Sequence, residues 1–309
     1  MLLKSLKPQN WYRLYVTSFL SSKCVEFSSC NVDTVAADLA YNIHDSHFVD
    51  PSKPPLVTFH AFLGSGSLWD GVAMEIQKET GRKVINLDAR SHGNSPRRAS
   101  LHYFEMVNDA IKVFRKLEIP KVSIIGHSMG GYTCMALSLL CPDLVSSLIV
   151  VDISPVKARL DLVFAMNVLK CMDTVPLKSS LTMSEARQLA DHKLQAITTD
   201  KKLRIYLVSN LVRTATGEYT WKTNIPALRD NLINNIAKFP PSLKGRKYLG
   251  PTLFICGASS EHVLKEDLPE IKDFFPQAEF TFIEGAKHWV QTDQPERFRE
   301  TVCKFLNEK

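Results

Sequence analysis

The chain has 309 residues and is 45% hydrophobic, which suits one large domain with a sizeable core. Its formal net charge is +6, but residues 1–25 contain four basic side chains and no acid, so the remaining residues carry only +2. So small a charge does not favour nucleic-acid binding. The seven cysteines show no metal-ligand spacing. No apolar run reaches the ~18 residues that a membrane-spanning helix needs.

Residues 1–30 differ in composition from the rest of the chain. They are rich in serine, contain Arg13 and three lysines, and have no acid before Glu26. This composition is typical of a mitochondrial transit peptide, whereas Arg13 interrupts the apolar stretch that a secretory signal requires. We therefore predict a transit peptide or a disordered leader over residues 1–30, and a mitochondrial protein, with the cytoplasm as the alternative. Reduced thiols and no secretory route fit this prediction.

Short apolar, β-branched runs alternate with helical patterns through the first half of the remaining chain, and the pattern returns near the C-terminus. This alternation predicts a mostly parallel sheet covered by helices on both faces. Besides the strand that leads into Gly126, the predicted strands are 39–44, 56–60, 83–87, 147–151, 251–257 and 279–284. The clearest predicted helices are 101–117, 132–140 and 294–306.

The second predicted strand ends in a loop with two glycines, Gly64 and Gly66. A dinucleotide fingerprint is one interpretation, but Trp69 occupies the position of its third glycine. The alternative is a strand-to-helix loop in which the backbone N–H of Phe62, together with that of Met129, binds an oxyanion. We prefer the second interpretation and expect no nucleotide cofactor.

The third predicted strand leads into the loop 88–96, which contains Asp88 and His92. These two residue types could ligate a metal. Polar side chains in a turn rich in Ser, Gly and Pro more often fix the loop through hydrogen bonds. We therefore predict that no metal binds there.

The segment Gly126-His127-Ser128-Met129-Gly130 stands between an apolar strand and a helical pattern. A serine on so sharp a turn takes a strained backbone, and only glycine lets strand and helix approach closely on either side. The helix N-terminus favours negative charge near the serine hydroxyl. The segment therefore predicts a nucleophile elbow with Ser128 at its apex.

Residues 156–247 interrupt the sheet pattern and are almost entirely helical in pattern, with a capping box at Thr182–Glu185. We predict a helical cap inserted into the domain. Four of its side chains give an apolar surface: Leu162, Phe164, Met166 and Met172. This surface belongs to the core, accepts an acyl chain, or does both.

His288 follows the last predicted strand, where a loop can hold an imidazole over the elbow, and is the predicted base. Three residues could orient it: Asp152 at the end of strand 147–151, or Ser260 and Glu261 after strand 251–257. A carboxylate suits this role better than a hydroxyl, and short acids at the carboxyl ends of strands are common catalytic groups. Asp152 is preferred, and Glu261 and Ser260 remain open.

A set of segments, in this order, resembles the α/β-hydrolase domain-containing protein 11 family and its small bacterial esterase relatives: HAFLGS, DARSHGNSP, GHSMGG, DISPV, YLGPTLF and AKHW. The resemblance extends from about Val32 to the C-terminus, close to the predicted domain 31–309. It implies an eight-stranded α/β-hydrolase core with a helical cap after the sixth strand, and mitochondrial residence. Two departures are Ala61, where a glycine usually follows the histidine, and the lack of an aspartate in Ser259-Ser260-Glu261.

The resemblance also implies a serine nucleophile and hydrolysis of carboxylic esters, with acylglycerols as the substrate class. We predict that Ser128, Asp152 and His288 perform two-step acyl transfer without cofactor or metal, on a small-molecule ester with an acyl chain. The alternatives are a thioesterase or peptidase, and a non-catalytic scaffold of the same fold. Dehalogenases and epoxide hydrolases are disfavoured because they carry aspartate at the elbow.

Overall fold

The described part of the chain, residues 35–46 and 49–309 of a computed structural model, contains nine strands. The predicted leader, residues 1–30, lies outside it. The strands are β1 Tyr41–His44, β2 Leu56–Phe59, β3 Val84–Leu87, β4 Val122–His127, β5 Val145–Val151, β6 Leu211–Arg213, β7 Tyr219–Trp221, β8 Thr252–Gly257 and β9 Ala278–Ile283. All seven strands predicted from the sequence occur, each within two residues of its predicted bounds.

Seven of these strands form one sheet in the order β1-β3-β2-β4-β5-β8-β9. Only β1 is antiparallel to its neighbour, and the other pairs are parallel. The central strand β4 is buried along its whole length. Helices cover both faces of the sheet, which explains why its strands read as continuous apolar runs. The predicted mostly parallel α/β sheet is therefore confirmed.

The described residues contain seven strands of this sheet instead of the eight that the resemblance implied. The segment 35–40, directly before β1, is irregular, and two of its backbone donors bond to side chains. The N–H of Ala37 donates to the Asp109 carboxylate at 2.6 Å, and the N–H of Ala40 donates to the Ser95 hydroxyl at 2.9 Å. These donors are therefore unavailable for a strand ladder.

Ten α-helices accompany the strands in the described residues. They are α1 Asp70–Thr80, α2 Tyr103–Lys116, α3 Met129–Leu140, α4 Leu162–Asp173, α5 Met183–Gln195, α6 Lys201–Val208, α7 Ile225–Asn231, α8 Leu268–Phe274, α9 Val290–Asp293 and α10 Pro295–Glu308. Helices α1 and α10 pack together over the core cluster that includes Ile125, Ile149 and Ile255. Helix α3 packs on the opposite face. Val150 points to that face, because successive side chains of a strand alternate and its neighbour Ile149 points to the first. A Cβ at Gly131 of α3 would lie 3.4 Å from the side chain of Val150.

The inserted cap follows β5, the fifth strand of the described sheet, and contains α4 to α7. The prediction that it is almost entirely helical is wrong over β6 and β7, which form an antiparallel hairpin. The strands pair Leu211 with Trp221 and are rich in β-branched and aromatic residues, which favour strands. Gly217 has a φ of 85° in the turn of this hairpin, a backbone that glycine adopts without strain.

Two further features of the described residues are the state of the cysteines and the length of the apolar helices. Cys134, Cys171, Cys256 and Cys303 are free thiols. No helix in the described range is both long enough and apolar enough to cross a membrane.

Candidate active site

Ser128 lies between β4 and α3 with a φ of 52°, a left-handed backbone that is strained for a residue with a side chain. Two glycines make this turn possible. A Cβ at Gly126 would lie 2.2 Å from the carbonyl oxygen of Gly130, and a Cβ at Gly130 would lie 2.3 Å from that of Phe59. The backbone therefore has the predicted strand–turn–helix form, and the glycines have the predicted steric role.

Asp152 directly follows β5 and is fully buried, with a φ of 47°. Its carboxylate accepts three hydrogen bonds. The N–H of Gly257 donates to Oδ1 at 3.0 Å, while the Ser260 hydroxyl and the Nδ1 of His288 donate to Oδ2 at 2.5 Å and 2.8 Å. A buried carboxylate requires such partners, and this one is bonded to the predicted base.

The other two candidate orienting groups are placed differently. Glu261 is exposed to solvent, whereas Ser260 bonds to the same carboxylate oxygen as His288. The structure therefore brings His288 together with Asp152 and Ser260, and Glu261 points to solvent. Ser260 therefore donates to the carboxylate of Asp152, and Asp152 is the group bonded to His288.

Two further histidines surround His288 and were missed by the sequence analysis. The rings of His262 and His288 lie 3.9 Å apart between centroids, and the His127 ring lies 4.7 Å from His288. The Nε2 of His127 donates to the carbonyl oxygen of His288 at 2.8 Å. The only indication in the sequence is their position, since His127 precedes Ser128 and His262 follows Glu261.

Burial sets the charge of these rings. It lowers the pKa of His288 to about 4 and that of His262 to about 4, and it also lowers the pKa of His127. Burial raises the pKa of Asp152, while its bonds from Ser260 and Gly257 act in the opposite direction. All three imidazoles are therefore neutral at neutral pH, the form in which a histidine can accept a proton.

The loop after β2 is a four-residue turn, because the N–H of Gly64 donates to the carbonyl oxygen of Ala61 at 2.9 Å. Phe62 lies inside this turn, beside Ser128 in the wall of one cavity, and Met129 begins α3. The two residues predicted to bind an oxyanion therefore lie on segments that meet at Ser128. Ala61, in place of the usual glycine, is buried.

The loop 88–96 holds this turn in place through side chains that had suggested a metal site. Asp88 accepts hydrogen bonds from the N–H groups of Gly66 at 2.7 Å and Asn94 at 2.8 Å. His92 is buried, and its Nε2 accepts from the N–H of Leu63 at 3.3 Å. Both residues therefore have the predicted loop-fixing role.

Ser128 and His288 share a cavity of about 250 Å³ between the sheet and the cap. Its apolar lining comes mainly from α4 and α6: Leu160, Phe164, Ala165, Val168, Leu203 and Leu207. Of the cap side chains singled out in the sequence, Phe164 lines this cavity, while Met172 is buried and its carbonyl accepts from the Trp221 indole. The cavity can therefore hold an apolar group beside the serine.

Comparison with known proteins gives consistent matches. A family model described as alpha/beta hydrolase fold matches residues 54–295. The sn-1-specific diacylglycerol lipase ABHD11 of Xenopus tropicalis is 34% identical over 96% of this chain and 92% of its own length. The Mus musculus protein of the same name is 35% identical over 89% of this chain and 87% of its own. A solved marine microorganism esterase has a TM-score of 0.77 at 29% identity, covering 87% of this chain and 100% of its own.

Adding one methyl group to a glycine of the elbow tests how closely the backbones approach there. Gly130→Ala should destabilise the protein by about 3 kcal/mol or more, because the backbone of β2 cannot move away as a side chain could. Gly71→Ala is the matched control, since Gly71 lies in α1 with no atom within 4 Å of an added Cβ. That control should be neutral or stabilising by up to about 1 kcal/mol. Urea unfolding measures both, and equal stability of the two variants would contradict the argument.

Proposed function

Because the chain belongs to the α/β-hydrolase domain-containing protein 11 family, we propose that it hydrolyses carboxylic esters of lipids through an acyl-enzyme on Ser128. One observation carries the proposal. The strained Ser128 and the neutral His288 open into the same apolar cavity, and His288 is bonded to the buried Asp152 at 2.8 Å. This is the combination that nucleophilic acyl transfer requires.

In the first half of the reaction, the Ser128 hydroxyl oxygen attacks the ester carbonyl carbon while the Nε2 of His288 takes the hydroxyl proton. Asp152 holds the Nδ1–H of His288 and stabilises the imidazolium that forms. The N–H groups of Phe62 and Met129 donate to the oxyanion of the tetrahedral intermediate, a contribution of roughly 3 kcal/mol for one such donor. The C–O bond then breaks, and His288 gives its proton to the leaving alcohol.

In the second half, His288 removes a proton from water, and the resulting hydroxide attacks the acyl carbon. The intermediate collapses, Ser128 recovers its proton from His288, and the carboxylic acid leaves. Every proton moves between His288, Ser128, water and substrate, so these steps require no metal or cofactor.

The cavity and the relatives support a proposed substrate class. The lining beside Ser128 is mostly apolar and comes largely from the cap, which suits an acyl chain. Of its two charged residues, Arg159 is paired with Asp267, and the Asp161 side chain caps helix α4. The curated relatives cited above are named sn-1-specific diacylglycerol lipases. We therefore propose acylglycerols, and diacylglycerols in particular, as substrates. A panel of esters and thioesters graded by acyl length tests this class directly.

We also propose mitochondrial localisation, which rests on the composition of residues 1–30 and on the resemblance to the family. The expected mature protein from purified mitochondria begins at about residues 20–35, because import removes such a leader. Sequencing of its N-terminal peptide measures this. An intact N-terminus recovered from the cytosolic fraction would contradict the proposal.

The nucleophile is tested by chemical labelling. A fluorophosphonate probe should label the native protein at Ser128 and should not label Ser128→Ala, because only an activated serine reacts. Heat-denatured protein is the control for non-specific labelling. Equal labelling of the native protein and Ser128→Ala would favour the non-catalytic scaffold.

The orienting acid is tested by a matched pair of amide substitutions. Asp152→Asn should lower kcat by about 10⁴-fold, as loss of the triad acid does in serine proteases, because it replaces the acceptor for the Nδ1–H of His288. Glu261→Gln should leave kcat within about twofold of wild type, since Glu261 is exposed. Steady-state kinetics on one ester measures both. A near-normal Asp152→Asn beside an inactive Glu261→Gln would reverse the assignment.

A further inference from the structure

The ring of His262 forms part of the cavity wall beside Ser128 and lies against the ring of the proposed base. The centroids of His262 and His288 are 3.9 Å apart, with 31° between the ring planes. The backbone of His262 is held on both sides, since its N–H donates to the Ser260 hydroxyl at 3.2 Å and its carbonyl accepts from the Arg159 guanidinium at 3.3 Å. The loop after β8 therefore fixes this ring next to the reaction centre.

The two ring nitrogens of His262 differ in their surroundings. The Nδ1 is buried and has no hydrogen-bond partner within the described residues. The Nε2 also has no bond to a described residue, but it is not buried in this way, so it is the nitrogen that reaches the cavity. In His288 the Nδ1 donates to the buried Asp152, which leaves its Nε2 on the cavity side. Because each ring directs its Nδ1 into the protein, the two Nε2 atoms lie on the same side of the ring pair.

The protonation of His262 makes its Nε2 a donor. Burial, together with the neighbouring His288, lowers the pKa of His262 to about 4, so the ring is neutral at neutral pH. A neutral imidazole has one N–H and one acceptor nitrogen. A proton on Nδ1 would be a buried donor without an acceptor, whereas a proton on Nε2 can be bonded by water or substrate in the cavity. His262 therefore presents an N–H to the cavity, beside the nitrogen of His288 that transfers protons.

Two other polar side chains of the wall are less suited to bind substrate at the base. The Tyr206 hydroxyl already donates to the Phe62 carbonyl at 2.7 Å. The Trp289 indole meets the His288 ring edge-on, with 5.9 Å between centroids and 71° between planes. His262 therefore combines a donor that no described residue uses with direct ring contact to the base.

We propose that His262 is a specificity-determining residue whose Nε2–H binds the oxygen on the carbon next to the scissile ester oxygen. The inference rests on the proposed serine-hydrolase function. When the tetrahedral intermediate collapses, the leaving oxygen takes its proton from the Nε2 of His288 and therefore lies against it. An oxygen on the adjacent carbon of the alcohol then lies toward the second Nε2 and accepts from its N–H.

This contact defines the alcohol part of the substrate, as the apolar lining defines the acyl part. An oxygen on the adjacent carbon is present in esters of vicinal polyols, including acylglycerols, and absent from esters of simple alcohols. It can be a free hydroxyl or the oxygen of a second ester, because both accept a hydrogen bond. His262 therefore favours polyol esters over simple esters of the same size.

Two pairs of butyrate esters with equal size test this selection. Hydroxyethyl butyrate is paired with propyl butyrate, and methoxyethyl butyrate with butyl butyrate. In each pair, the ratio of kcat/KM for the oxygen-bearing ester over the hydrocarbon ester should fall about tenfold from wild type to His262→Phe, the effect of one hydrogen bond. The ratio cancels any general effect of the substitution on His288, and the intrinsic difference between the two alcohols is common to both enzymes. The methoxy oxygen can only accept, so the second pair tests the assignment of Nε2 as donor.

Two further variants complete the test. His262→Gln should keep a clearly higher ratio than His262→Phe, because its amide N–H replaces the lost donor. His192→Phe is the matched control, since His192 is exposed on the cap helix α5, and its ratio should stay within about twofold of wild type.

An unchanged ratio in His262→Phe, an equal fall in His262→Gln or in His192→Phe, or selection of the hydroxyl but not of the ether oxygen would each overturn the proposal. Fluorophosphonate labelling of the same samples separates this proposal from the proposed function. A labelled wild type whose ratio does not change in His262→Phe contradicts the role of His262 alone. A wild type that is not labelled and hydrolyses none of the four esters overturns the proposed function as well.

Discussion

The hydrogen bond between the Nδ1 of His288 and the Asp152 carboxylate is the interaction on which the site depends. It joins a loop after β9 to the end of β5. The carboxylate has no access to solvent, and a buried charge is stable only with full partners, which Ser260 and Gly257 complete. This network fixes the position of the imidazole over the elbow. Removing one partner would leave a buried acceptor without its donor.

The local parts of this arrangement could be predicted from the sequence. The sheet strands and the elbow are specified by short apolar runs and by Gly126 and Gly130, whose neighbours in the chain decide their structure. Asp152 was preferred because it ends a strand, and its contact with His288 supports that choice. The resemblance to the family supplied the order of the segments, but its eighth strand is absent from the described residues.

The remaining features depend on contacts between distant residues. The β6–β7 hairpin has strands of three residues each, too short for a periodic pattern. The ring contact between His262 and His288 and the hydrogen bond from Tyr206 to Phe62 join residues 26 and 144 positions apart, so no local pattern could indicate them. They follow from the way the cap and the loops after β8 and β9 pack over the elbow, which makes the cap part of the site.

In the proposed mechanism Ser128 carries the acyl group during turnover, and direct observation of the acyl-enzyme tests this step. Protein mixed with a diacylglycerol or a short-chain ester, quenched in acid and digested, would be analysed by mass spectrometry. We expect the peptide containing Ser128 to gain the mass of the acyl group within the first turnover and to lose it when substrate is exhausted. Rapid ester hydrolysis with Ser128 unmodified throughout, or an adduct on another residue, would contradict it.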